Sequence, residues 1–453
     1  MLTMTAALNL LLAWSVFAFG AVYDWAFAPA ALLALTGAAW SLRSPLRQRA
    51  WLDLWLCLLA GVAILQLIPL PEAVRAILSP GQAGYVTRVS LAPPAPGSWL
   101  PLSLHPGAWL FGAGALIAGI ATFLWTRDTL ESRGVRRVAR AIAWMALIVS
   151  AFALVQPVVF PTGGIYGFWD PLASGTRPTG PIVSRPHFAS WVILAWPLTV
   201  GYLFSHARSH WRSRRVSRGA AILGDTRTWW LLLSIALMAA AVLVTQSRSG
   251  VIGLGVAGLV LMLEAWKRTG LAGRAGLVGF LALVTVAASL WATPDAVLYR
   301  FEHAWSGVDG GRPQIWDQVW VLVRDFPIAG IGLGAFDVVM PAYQTSAFVA
   351  LLNHAHNQYL HLLAEGGLLL AVPAVGAVVT FLGTAWRRSR EDRTPLVHVR
   401  HGAFAGLAGL AVQSLFETPM LTPAVMFLAA VSAALVVRGA DPVRADVSGE
   451  SDG

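Results

Sequence analysis

The feature that most constrains this chain is a series of apolar runs long enough to cross a bilayer. A spanning helix needs roughly 20 mostly apolar residues to cover about 30 Å of hydrocarbon. Twelve runs qualify, near 3–20, 25–42, 51–69, 107–126, 138–159, 187–205, 229–246, 250–266, 275–292, 367–386, 402–415 and 422–437. Composition agrees, because only 12% of the residues are charged against about 25% in a soluble domain. That excludes an ordinary soluble enzyme, and the abundance of Trp and Phe excludes disorder. The one cysteine, Cys57, sits in an apolar run, so no disulfide framework or cysteine metal site is available. The expected fold is an all-α polytopic membrane protein with about 12 transmembrane helices. Residues 1–439 form one integral-membrane domain, and 440–453 read as a short disordered tail.

A formal net charge of +10 would suit a nucleic-acid partner, but the cations sit in short loops between apolar runs, so none is expected. Clusters at 43–49, 127–140, 208–227, 267–274, 387–400 and 438–444 occupy every second loop and the tail, holding 24 of the 32 cations. By the positive-inside rule these loops are cytoplasmic, and both termini with them. No Lys or Arg precedes Arg43, so the N-terminus lacks the basic region of a cleavable signal and is expected to stay attached. Three long segments then face outward, about 70–106, 160–186 and 293–366, the first proline-rich and expected to be irregular.

Eight arginines oppose the bias and face outward: Arg75, Arg88, Arg177, Arg185, Arg248, Arg300, Arg312 and Arg324. Arg248 lies in the short turn TQSRSG (245–250) among hydroxyls, either an anion cradle at headgroup depth or a side chain snorkelling to lipid phosphates. Arg312 precedes Pro313, a residue suited to the first helical position. It therefore caps an amphipathic helix running to about Phe326, with Ile315, Val319, Leu322 and Phe326 as its apolar stripe. A guanidinium beside free N–H groups at a helix start favours an anion.

The stretch NHAHNQYLHLLAEGG (353–367) holds His354, His356 and His361. On a helix the side chains of His354 and His356 would point nearly opposite ways, and no nearby Cys or Asp completes a metal site. A neutral imidazole can instead accept a proton near physiological pH. Arg177, Arg185 and His187 stand at the mouth of the sixth run, and Gln413, Glu417 and Thr418 follow the eleventh. Either set could orient a polar substrate, while Glu417 could equally pair with an arginine. There is no P-loop, no DxD pair, and almost no mid-span carboxylate, which weakens an ion-coupled transporter. A passive channel or transporter remains an alternative from the run count alone.

These motifs resemble those of the O-antigen ligase and O-antigen polymerase superfamily of bacterial membrane glycosyltransferases. GRPQIWDQVWVLVRDFPIAGIGLGAF is similar to its arginine–tryptophan helix, and HAHNQYLHLLAEGGL to its histidine–asparagine motif. TQSRSG and RPTGPIVSRPHFASW resemble two further motifs. The resemblance implies a GT-C-type helical fold and periplasmic chemistry in the inner membrane. It implies an undecaprenyl-diphosphate-linked glycan donor, a glycan or glycolipid acceptor, and inverting transfer without metal or other cofactor. By matching motif, His356 is the implied catalytic base and Arg248 and Arg312 the implied diphosphate ligands. Arg177, Arg185, His187, Asn357 and Glu417 are further candidates for contact with substrate. Ligase and polymerase share the donor chemistry, and the reading leans to a ligase using lipid A-core or a similar acceptor.

Overall fold

The computed structural model describes residues 2–44, 50–91, 95–161, 164–170, 179–213, 225–266, 279, 312–345 and 351–439. Arg177, Arg300, nearly all of the expected run at 275–292 and the tail at 440–453 lie outside the described residues. The described residues are all-helical apart from isolated bridges. In chain order the helices are α1 (Leu2–Phe17), α2 (Asp24–Ser41), α3 (Trp51–Leu65), α4 (Glu72–Leu78), α5 (Gly81–Val89), α6 (Ala113–Thr129), α7 (Ser132–Val159) and α8 (Arg185–Ser213). There follow α9 (Thr226–Val244), α10 (Arg248–Trp266), α11 (Arg312–Asp325), α12 (Phe336–Val339), α13 (Gln358–Glu391), α14 (Val397–Gln413) and α15 (Pro423–Val437).

Among the described residues, five helical stretches are long and apolar enough to cross a membrane: Pro106–Thr129, α7, Arg185–Ser209 of α8, α9 and α13. Met4–Phe17, Trp51–Leu65 and Pro423–Val437 are apolar but shorter. Hydrophobic runs therefore overstate helix length where a turn cuts them. The first run breaks at Phe19 and Gly20, both at positive φ. The third ends at Gln66, whose side chain is buried in hydrogen bonds. Exposure also marks the bilayer. Leu368, Val372, Val375, Val379 and Leu382 form an uncovered apolar stripe along α13, which costs free energy in water and none against lipid.

The core centres on α8, whose residues from Phe188 to Leu198 are almost wholly buried. Helix α14 crosses it closely because Gly402 and Gly406 stand at the contact, where a Cβ would collide with backbone atoms of Pro197 and Leu194. Small residues at such crossings let helices approach inside a membrane, where packing replaces the hydrophobic drive. This contact fixes where α14 ends and hence where the residues after it fall.

The outer segment 70–106 is more ordered than its prolines suggest. Pro71 and Pro80 stand just ahead of α4 and α5 and start these helices rather than preventing them. Arg75 is buried here, donating to the Leu70 and Ser98 carbonyls and to Gln82. It is a structural arginine, as is Arg88, which lies over the Tyr343 ring.

The amphipathic helix α11 runs as its spacing predicts, with Ile315, Val319 and Leu322 buried beneath it. Its exit strand docks into a break in α13. Gly367 has φ 57° and ψ −162°, and the freed N–H groups of Leu368 and Leu369 donate to the carbonyls of Pro327 and Ile328. Gln66 locks the joint: its Nε2 donates to the Ala329 and Glu365 carbonyls at 2.8 and 2.9 Å, and its Oε1 accepts from the Leu333 N–H. The Glu365 carboxylate caps the N–H groups of Gly334 and Phe336.

Candidate functional site

Helices α8, α10, α11, α13 and α15 all begin, and α14 ends, at one end of the bundle, away from the arginine-rich loops. The chain between α14 and α15 threads through these termini. The N–H of Gln358 donates to the carbonyls of Ser414 and Glu417, and the Gln358 side chain accepts from the Met420 N–H. Gln413 donates to the Pro186 carbonyl at 3.0 Å. Thr422 and His187 share a 2.7 Å hydrogen bond. Segments distant in sequence are thereby fixed against one another.

Glu417 lies at the centre. One carboxylate oxygen accepts from Arg312 Nη2 at 2.5 Å, and the other stands 3.4 Å from His356 Nδ1. The carboxylate is nearly enclosed, at 6% side-chain exposure, whereas Arg312 and His356 are about 40% open. A substrate can therefore reach the guanidinium and the imidazole while the carboxylate stays behind them. Burial alone would raise the Glu417 carboxyl, but the His356 hydrogen bond and the Arg312 charge outweigh it and hold it below its ordinary value. Glu417 is an ionised anchor.

His356 owes its place to local backbone. Asn357 is the N-cap of α13, its Oδ1 accepting from the N–H groups of Tyr359 and Leu360, both at 3.0 Å. The helix thus starts after the histidines, and His356 itself has φ 47°, a left-handed conformation uncommon for a side-chain-bearing residue. That removes the helical premise for His354 and His356: their rings lie 6.3 Å apart in an edge-on arrangement. His354 is pushed down to about 3 by burial, reinforced by the nearby imidazoles of His361, His187 and His356. It is neutral at physiological pH. Trp316 of α11 donates to the Ala355 carbonyl at 3.0 Å, tying the histidine loop to the arginine helix.

Residues 233–375 match the family model described as O-antigen ligase. That segment is similar to the O-antigen ligase family. No curated protein matches it. The matched segment runs from α9 into α13 and contains Arg248, Arg312 and His356, while His187 and Glu417 join it from outside.

The structure brings together four expected site residues: Arg312, His356, His187 and Glu417. Arg185 opens α8 and Arg248 opens α10 at the same end of the bundle. The turn carrying Arg248 packs on the start of α8, with Gly250 against Ala189. Its hydroxyls serve the turn itself. Ser247 Oγ caps the Gly250 N–H, and Thr245 Oγ1 accepts from the Ser247 N–H. The hydroxyls expected around Arg248 thus also cap the start of α10. Three further candidates have protein partners of their own, Glu417 with an arginine, one of the two roles its sequence position allowed. Asn357 is a cap, His187 is buried against Thr422, and Glu417 faces its protein partners rather than open space. Thr422 and Gln66 were not foreseen, and Glu365 was read only as part of the histidine–asparagine motif, with no role assigned. The signal available for Glu365 was a carboxylate at the mouth of an apolar run, which needs buried partners to persist there.

Proposed function

We propose that this protein is a glycosyltransferase of the bacterial inner membrane. It moves a glycan from undecaprenyl diphosphate to an acceptor hydroxyl on the periplasmic face. The observation that carries the proposal is the Arg312–Glu417–His356 bridge, which holds a cation and a proton acceptor side by side on one buried anion.

The acceptor oxygen attacks the anomeric carbon as the bond from that carbon to the diphosphate oxygen breaks. The leaving electron pair becomes negative charge on the lipid diphosphate. Arg312, with Arg248 at the neighbouring helix start, stabilises that charge. Arginine suits the role because it stays charged and its planar fork grips phosphate oxygens in pairs. Glu417 uses one edge of the Arg312 guanidinium, and five donors leave others for phosphate. Preorganised donors of this kind contribute on the order of 3 kcal/mol each in a water-poor site. The acceptor proton passes to His356 Nε2, because Nδ1 is turned to Glu417. A single displacement inverts the anomeric centre, and a diphosphate needs no proton to leave.

With purified protein and lipid-linked donor, His356→Ala should bind donor and transfer nothing; full transfer removes the base assignment. A ligase acting on lipid A-core is favoured over a repeat-unit polymerase. A deletion strain with polymer stranded on the lipid carrier supports the ligase, whereas single repeats on core identify the polymerase.

A further inference from the structure

Helix α11 does more than carry Arg312. On a helix advancing 100° per residue, Asp317, Trp320 and Arg324 fall within an arc of about 60°, facing away from the buried side formed by Ile315, Val319 and Leu322. Trp320 is 46% exposed, and both charged residues beside it are exposed as well. Together they line an open groove of about 460 Å³. Among the described residues, Trp320 keeps nearly half of its surface open.

We propose that this groove is a saccharide subsite that receives the sugar chain of the lipid-linked glycan. The choice of a saccharide rests on the function proposed above. The chemistry fits: an indole face offers apolar contact to the C–H side of a pyranose. A carboxylate at i−3 and a guanidinium at i+4 from the ring flank it with an acceptor and donors for ring hydroxyls. The geometry fits too. At 1.5 Å per residue, Trp320 stands roughly 12 Å and Arg324 roughly 18 Å along the axis from Arg312. A glycan whose diphosphate end lies at Arg312 would thus run down the same helix. A lipid-inserting face would instead surround the indole with apolar side chains, whereas here the exposed Val321 is outnumbered by Gln314, Asp317 and Arg324 on the same side.

The full chain, placed in nanodiscs and labelled with 5-fluorotryptophan, tests this by ¹⁹F NMR, with the Trp320 resonance assigned from Trp320→Phe. The probe is the repeat-unit oligosaccharide released from its lipid by mild acid. The oligosaccharide should shift the Trp320 resonance. Trp320→Ala should weaken oligosaccharide binding about tenfold, and Trp320→Tyr should restore most of it. An unmoved resonance at saturating oligosaccharide overturns the proposal, as does a resonance that moves only with sugar-free phosphatidylglycerol vesicles. Because binding is read without turnover, a protein that binds sugar at Trp320 and transfers none supports this subsite while refuting the enzymatic reading.

Discussion

Replacing Glu417 with glutamine changes the site by one atom type and should nearly silence it. The carboxylate accepts from Arg312 through one oxygen and faces His356 Nδ1 with the other. In Glu417→Gln the amide oxygen still suits Arg312, which leaves the NH₂ group pointing at Nδ1. Two donors cannot face each other, so His356 shifts its hydrogen to Nε2 and presents Nδ1 as the acceptor. The nitrogen that must take the acceptor's proton is then already occupied. Loss of a general base costs about 10²–10⁴ in rate, or roughly 3–5 kcal/mol on the barrier. Stability should suffer less, because Arg312 is about 40% exposed and water compensates part of a lost surface-accessible ion pair. A thermal midpoint within a few degrees of wild type is expected in detergent.

The assay is transfer from purified lipid-linked donor, reporting kcat and KM separately beside the unfolding curve. Glu417→Asp keeps the charge but withdraws it by a methylene, and should retain measurable turnover. A Glu417→Gln enzyme with kcat within threefold of wild type would refute the tautomer argument. So would a Glu417→Asp enzyme as dead as Glu417→Gln, since that would make precise packing, rather than charge, the requirement.

Arg312→Lys keeps the cation and loses the planar fork, so transfer should drop at least tenfold in the same assay; unchanged turnover would mean Arg312 does not grip the diphosphate. Gly367→Ala places a Cβ against the Ile328 carbonyl at a backbone conformation open almost only to glycine. Backbone strain of about 1–3 kcal/mol, added to that collision, should show as a lower thermal midpoint and poor recovery of folded protein. His354 remains neutral in the fold down to about 3, while its ordinary value is 6.5. Between those values the unfolded chain binds a proton that the native chain does not. Stability should therefore fall as pH drops below about 6.5, by at most about 1.4 kcal/mol per pH unit. Thermal scans at pH 7.5 and 5.5 should show a smaller acid loss in His354→Gln; equal losses would refute the assignment.

The all-helical, apolar-rich fold was legible because apolar run length is a property of the sequence alone. The same holds for α11, whose start at Arg312 and whose stripe of Ile315, Val319 and Leu322 follow from helical spacing and a proline at the first position. What could not be read is whatever depends on backbone that departs from regular helix. His354 and His356 looked mutually exclusive on a helix, and come near each other only because Asn357 caps α13 after them and His356 turns left-handed. Helix lengths failed for the same reason: Gly20 and Gln66 end apolar runs that composition would continue.

Glu417 illustrates the deeper limit. In sequence it is one carboxylate after an apolar run, 105 residues from Arg312 and 61 from His356, and no spacing rule links it to either. Its role follows from three contacts far from its own side chain. The close crossing of α14 over α8 at Gly402 and Gly406 sets where α14 ends. Gln358 then holds the residues after α14 through the Ser414 and Glu417 carbonyls, and Gln66 fixes the exit of α11 against α13. Weakening any of the three should move the carboxylate relative to Arg312 and His356 without touching them. In the proposed mechanism the arginine and the histidine carry the chemistry that a motif can announce. The relation between them is a property of helix packing, and it can be lost while every motif residue remains in place.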